Sequence, residues 1–250
     1  MQSLDRAFDL LECLAEAGGA LGLSELAQST GLPLPTIHRI MRSLIGKGYA
    51  RQEPSRRYAL GARLIRLGEA AGRTLGSRAM PYLAQVVVQI GETANLAILE
   101  GDAVVYLAQV PSRHSMRMFT EVGRRVEPHS TGVGKALLSL LPDEKVRELC
   151  RRTGMPVQTA RTITSPDALI AELQDIRALG YAVDDGEQEV GVRCIAAPVL
   201  NAPAPVAISV SGPTERVTTD RVPQIAPLLR EIAGQLSIAL RDEVAAPGPV

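Results

Sequence analysis

Several residue types are scarce in this chain of 250 residues, and each scarcity removes a class of function. Cysteine occurs three times, at Cys13, Cys150 and Cys194, too widely spaced for a disulfide framework or for paired zinc ligands. Neither a metal nor a cofactor is expected. Tryptophan is absent and aromatic residues make up only 3%, so Phe119 and a few tyrosines are the rings on which a planar ligand could stack. That mildly favours an aliphatic ligand. No apolar run approaches the roughly 18 residues of a membrane span, and no charged-then-apolar leader opens the sequence. A soluble cytoplasmic protein without a membrane partner is the expectation.

What is present is apolar enough to fold: 46% of the residues are hydrophobic, and the length suits one large or two ordinary domains. Net charge is zero but unevenly spread. Met1 to Leu32 carries one Lys/Arg against five Asp/Glu, Pro33 to Arg73 nine against two, and the remainder seventeen against twenty. A basic stretch of net +7 inside an otherwise acidic chain is the footprint of a polyanion partner.

The local patterns agree. "SLDRAFDLLECLAEAGG" carries Leu4, Ala7, Phe8, Leu11 and Leu14 at helical spacing, with Ser3 placed to cap its start and Gly18-Gly19 to end it. "SELAQSTG" reads as a second helix capped by Ser24. "LPTIHRIMRSLIGKG" reads as a third, with Ile37, Ile40, Met41, Leu44 and Ile45 on one face. Its other face offers Pro35, Thr36, His38, Arg39 and Arg42. Two short strands, Tyr49 to Gln52 and Arg57 to Leu60, then flank a polar turn. This is a winged helix-turn-helix plan in which the third helix enters the major groove of double-stranded DNA. Arg39 and Arg42 are the candidate base readers, since a guanidinium pairs bidentately with guanine. Arg51, Arg56 and Arg57 are candidate phosphate contacts from the wing.

"HSTGVGKALLS", His129 to Ser139, resembles a phosphate-binding loop at first sight. The match fails: His129 stands where the loop needs glycine, and Ala136 where it needs a magnesium-binding hydroxyl. A helix start remains, either packed closely through its glycines or holding an anion on the peptide groups of Gly132 and Val133. Lys135 is expected to be solvent-facing or structural. Around it the chain reads as helices near Ser77–Ile90, Asp143–Arg152, Asp167–Leu179 and Asp220–Arg241. Strands are expected at Asn95–Leu99, Ala103–Gln109, Ser115–Phe119, Tyr181–Asp184, Val192–Pro198 and Val206–Ser211. Strands with segregated helices argue an α+β domain on a mainly antiparallel sheet. Expected boundaries are 1–61 for the DNA-binding domain, 62–75 for a linker helix, 76–243 for the larger domain and 244–250 for a flexible tail.

These pieces together resemble the IclR family of bacterial transcription regulators over nearly the whole length. The resemblance is carried by "LDRAFDLLECLA", "LSELAQSTGLPLPTIHRIMRSLIGKGYARQEPSRRYALGARLIRLG", "HSTGVGKALL", "ELQDIRALGYAVDDGEQEVGVRCIAAPV" and "AISVSGP". Where the family often has a basic residue and then Ser or Thr, this chain has Leu34 and Pro35. The resemblance implies a repressor that binds a pseudo-palindromic operator as a dimer, in a dimer of dimers. It also implies a GAF-like effector domain for a small carboxylate or ureide, with the allantoin-catabolism subgroup closest. The matching positions of the effector pocket are Gly132, Val133, Asp184, Cys194, Ser209 and Ser211, with Met116, Met118 and Val192 as its apolar wall. An enzyme built on Cys194, His129 and Asp184 as nucleophile, base and orienter is the competing reading, and a DNA-binding protein without an effector is a second.

Overall fold

The computed structural model describes residues 2–72, 76–118 and 120–242. The chain divides into two compact units, Met1–Ala71 and Gly72–Val250. The expected tail at 244–250, the end of the expected linker at 73–75, and Phe119 lie outside the described residues.

In the first unit the apolar stripes of α1 (Gln2–Glu16), α2 (Leu23–Thr30) and α3 (Leu34–Gly46) close on one another. Leu10, Leu14, Leu26, Ile37 and Met41 are its buried centre. Two caps differ from expectation. Ser3 lies within α1 rather than before it, and α2 is capped by Gly22, one position ahead of Leu23. The Gly22 N–H donates to Glu25 Oε2 at 2.5 Å, the bond by which a glutamate at the third helical position holds the start of a helix. Gly31 ends α2 at φ 68°, a left-handed value that costs glycine little. The wing strands β1 (Ala50–Gln52) and β2 (Tyr58–Leu60) pair antiparallel, and Leu21 bridges to Tyr58 on the open side. Helix α4 (Arg63–Gly72) follows.

The second unit opens with α5 (Gly76–Ile90) and the hairpin β3 (Thr93–Glu100) and β4 (Ala103–Val110). After β5 (Arg125–Val126) come α6 (Gly132–Leu138), α7 (Asp143–Thr153) and α8 (Pro166–Leu179). The chain then runs through β6 (Ala182–Asp185), β7 (Val192–Val199), β8 (Val206–Pro213) and α9 (Val222–Asp242). The strands form one antiparallel sheet in the order β5-β4-β3-β8-β7-β6. One face packs on α5 and α9 through Leu83, Leu96, Ile208, Leu229 and Leu236. The other packs under α6, α7 and α8 through Ala196, Ala207, Val133, Leu137 and Leu173.

The strand expected at Ser115–Phe119 does not form over 115–118. Its carbonyls are met by side chains instead: Thr93 Oγ1 donates to Met118 at 3.0 Å, and Arg216 to Met116 at 3.0 Å. The two-residue β5 takes the sheet edge in its place. No helix among the described residues is long and apolar enough to cross a membrane.

Candidate functional site

Helix α3 turns Pro35, His38, Arg39 and Arg42 to solvent while Ile37, Ile40 and Met41 hold it to the core. Positions 35, 38, 39 and 42 follow helical spacing, so they form one presented face; Thr36 is half-buried beside it. The three wing arginines divide. Arg56 is exposed at the turn, in a left-handed conformation with φ 62°. Arg51 is exposed but donates to the Leu60 carbonyl at 2.7 Å and pairs with Glu53. Arg57 faces inward: Nε and Nη2 donate to the Ala20 carbonyl at 2.9 and 2.7 Å, and Nη2 pairs with Glu25 at 2.9 Å. Gly22's N–H first, and Arg57 second, hold the Glu25 carboxyl below its usual value. Arg57 is therefore a strut between wing and α2 rather than a free cation.

In the second unit the strand register lays a polar row across the sheet beneath α6. Asp184 on β6 pairs with Cys194 on β7, Cys194 with Ser211 on β8, and Ser211 with Thr93 on β3. All four are buried. The parallel row one pleat away runs Ala182, Ala196, Ser209, Asn95 and Gln109. Val192, two residues before Cys194, shares its side of the strand and is half-buried. Helix α6 reaches this floor because Gly132 has no side chain: a Cβ there would stand 2.9 Å from Cys194 Sγ. Gly134 likewise leaves room for the Pro128 backbone, 2.2 Å from where its Cβ would be. Thr131 caps the helix, accepting from the Gly134 N–H at 3.1 Å, and the Val133 N–H points at the Cys194 thiol. Met118 is half-buried, whereas Met116 is 75% exposed and its side chain forms no part of a buried wall.

Three residues at the floor carry no signal in the strand patterns. Asn95 is 1% exposed, and its Oδ1 accepts from Gln109 Nε2 at 3.1 Å. Tyr106 reaches the same face through a bulge: the pairing steps from Leu96↔Ala108 to Ala97↔Tyr106, leaving Leu107 as the extra residue. Simple alternation would have put Tyr106 on the opposite face. Burial first, then the nearby Cys194 and Asp184, push its hydroxyl above the usual range.

Charge is buried here too. Lys135 is fully buried on α6, and its ammonium pairs with Glu172 of α8 and Glu187 of the β6–β7 loop. Burial pushes Glu187 up to about 7 against the pull of Lys135. Burial also raises Asp184 to about 6, although Oδ1 accepts the Glu187 N–H at 2.7 Å. The Cys194 thiol is driven up to about 11 by burial and by Asp184, against the Ser211 and Ser209 hydroxyls beside it.

A nucleophile–base relay is not assembled. Cys194 is held protonated, and His129 is 2% exposed with Nε2 3.1 Å from the Pro156 carbonyl. Asp184 accepts backbone N–H groups of Glu187 and Gln188 rather than an imidazole. Among the described residues no His, Cys and carboxylate groups gather as metal ligands.

A winged helix-turn-helix unit followed by an α+β unit with a polar floor buried under a short helix defines a ligand-responsive DNA-binding regulator. The IclR helix-turn-helix domain matches residues 3–54, and the C-terminal domain of the bacterial transcriptional regulator IclR matches residues 70–238. The chain belongs to the IclR family of transcriptional regulators, not to an enzyme family. It is 38% identical over 245 residues to the transcriptional regulator BhcR of Paracoccus denitrificans, covering 96% of this chain and 88% of that one. It is 35% identical over 246 residues to the transcriptional repressor IclR of Escherichia coli, covering 96% and 90%. Among solved structures, an IclR homolog from Microbacterium hydrocarbonoxydans in complex with 4-hydroxybenzoate superposes with a TM-score of 0.81. That pair is 26% identical, with 96% of this chain and 99% of the other covered.

Proposed function

We propose that this regulator is a repressor of a catabolic operon, released or retained on its operator by a small carboxylate or ureide-type acid of glyoxylate or allantoate size. The observation that carries the effector half is the buried row Asp184–Cys194–Ser211, set beside the apolar Ala182, Ala196 and Ala207 of the same sheet face. Donors and acceptors in a dry floor give a small polar ligand both orientation and selectivity. Gly132, Val133, Val192 and Ser209 complete the site in this reading. Arg39 and Arg42 read base edges, Pro35, Thr36 and His38 lie beside them on the DNA-facing helix, and Arg51 and Arg56 approach phosphates.

A pseudo-palindromic operator needs two copies of the reading helix, hence a dimer, which we take to be half of a dimer of dimers. Supporting self-association, Leu4 and Phe8 of α1 and Leu67 of α4 are exposed around an apolar cleft of about 720 Å³. The effector acts through its different affinities for the two DNA-binding states. The test uses duplexes selected from a random pool by the native protein. Arg39→Ala should weaken their binding by roughly 1–3 kcal/mol and relax the selected sequence. Unchanged affinity would remove α3 as the reading helix. Glyoxylate or allantoate should raise the melting temperature of the native protein and not of Ser211→Ala.

A further inference from the structure

Two buried polar groups in one register pair have no nitrogen or oxygen partner in the protein. Asn95 Nδ2 on β3 makes no hydrogen bond, and Ser209 Oγ on β8 has only the weakly bonding Cys194 thiol beside it, although both residues are at most 1% exposed. They face each other directly across the sheet, on the side opposite the Leu96 and Ile208 core. The neighbour on the far side takes one end of the amide, as the two amides are placed. Gln109 Nε2 occupies Asn95 Oδ1, so the free end of the amide is its NH₂, which only donates. Buried side-chain donors in folded proteins are nearly always satisfied. One orphan has many causes, but two in register point to a shared acceptor supplied from outside. Next to them in the row stand Ala196 and Ala182, which offer no side-chain acceptor.

We infer that Asn95 is a specificity-determining residue of the sensor site. With Ser209 it receives a second oxygen of the effector, remote from or adjacent to the carboxylate that lies over Cys194 and Ser211. The effector class is thereby narrowed to small acids bearing an additional oxo, amide or carboxylate oxygen, and plain alkanoates are rejected. An alkyl group placed against the pair would leave both donors unmet, and a site built to hydrogen-bond a ligand discriminates strongly against the analogue lacking the group. This rests on the reading of the Cys194–Ser211 row as the seat of an acid.

The test is calorimetric titration of the full-length protein with two matched pairs, pyruvate against propionate and succinate against butyrate. The native protein should bind the oxygen-bearing member of at least one pair more tightly than its alkyl partner, by at least about tenfold. Asn95→Leu should bring that pair to equal affinity, and the isosteric Asn95→Asp, which turns the donor into an acceptor, should lose the oxygen-bearing acid. Ser211→Ala should weaken both members together. If Asn95→Leu and Asn95→Asp keep the native preference, or the native protein does not distinguish the members it binds, the role of Asn95 is overturned and the pair holds water only. If neither these four acids nor glyoxylate or allantoate binds the native protein, the acid seat itself is wrong, and the inference falls with it.

Discussion

Alternate residues of the same strands write the two faces of the six-stranded sheet, and the faces differ in kind. Towards α5 and α9 stand Ala94, Leu96, Ile195, Ile208 and Val210, all apolar. Towards α6 the interleaved positions mix Ala97, Ala182, Ala196 and Ala207 with the equally buried Thr93, Asn95, Asp184, Cys194, Ser209 and Ser211. Since both faces are dry, exposure to water explains nothing about the difference. The first face is what packing alone selects. The second carries an ionisable carboxyl and orphan donors, each a cost of about 1–3 kcal/mol where unmet. Local choices that weaken a fold without compensation inside the protein mark a surface arranged for a ligand.

The comparison can be broken most forcefully at Lys135. Lys135→Met leaves Glu172 and Glu187 facing one another without the cation, and should destabilise the C-terminal unit by about 3–5 kcal/mol in denaturant unfolding. A change below about 1 kcal/mol would mean that the buried charges on the α6 side carry no more weight than surface pairs. Asp184→Asn should act in the opposite direction. The folded pKa is raised to about 6 from 3.8, so the native state holds its proton more tightly than the unfolded chain. Stability is then lost as pH rises from about 4 through about 6. The amide keeps the acceptor for the Glu187 N–H, and should add on the order of 3 kcal/mol at pH 8 while flattening that slope. A melting curve of the variant with the native pH dependence would show that Asp184 is not the strained group. The smallest effect is expected at Ser209→Ala, where no hydrogen bond to nitrogen or oxygen is lost. Its ligand-free stability should stay within about 1 kcal/mol of native, or rise.

The N-terminal unit was legible because its signals are local: apolar stripes at helical spacing, glycine stops and a basic run. Helices α1, α2 and α3 stand within a few residues of where the stripes put them. At α2 the cap stands two positions ahead of the expected serine, at Gly22, whose N–H the Glu25 carboxylate accepts. Strand order on the α6 side was partly legible too, since Ser209 and Ser211 alternate as strand residues should. What stayed hidden depends on contacts far apart in the chain. Met116 and Met118 alternate like a strand, yet their backbone is satisfied by Arg216 and Thr93. Tyr106 arrives at the floor only through the bulge at Leu107. Asn95 sits in "TANLAILE" between the apolar Ala94 and Leu96, and its meaning needs β8 beside it. Lys135, expected as solvent-facing or structural, is structural, and its partners lie 37 and 52 positions away.

Arg57 has a consequence in solution that its place in the fold does not announce. Phosphate contacts strengthen binding by displacing condensed counterions, and each adds about 0.9 to the slope of log affinity against log salt. A guanidinium already committed to the Ala20 carbonyl and Glu25 displaces none. On the proposed reading, the ionic-strength dependence of operator binding counts Arg51 and Arg56, which approach phosphates, but not Arg57. Salt that loosens the regulator from DNA also screens the exposed Arg57–Glu25 pair, but leaves the Arg57 bonds to the uncharged Ala20 carbonyl to hold the wing.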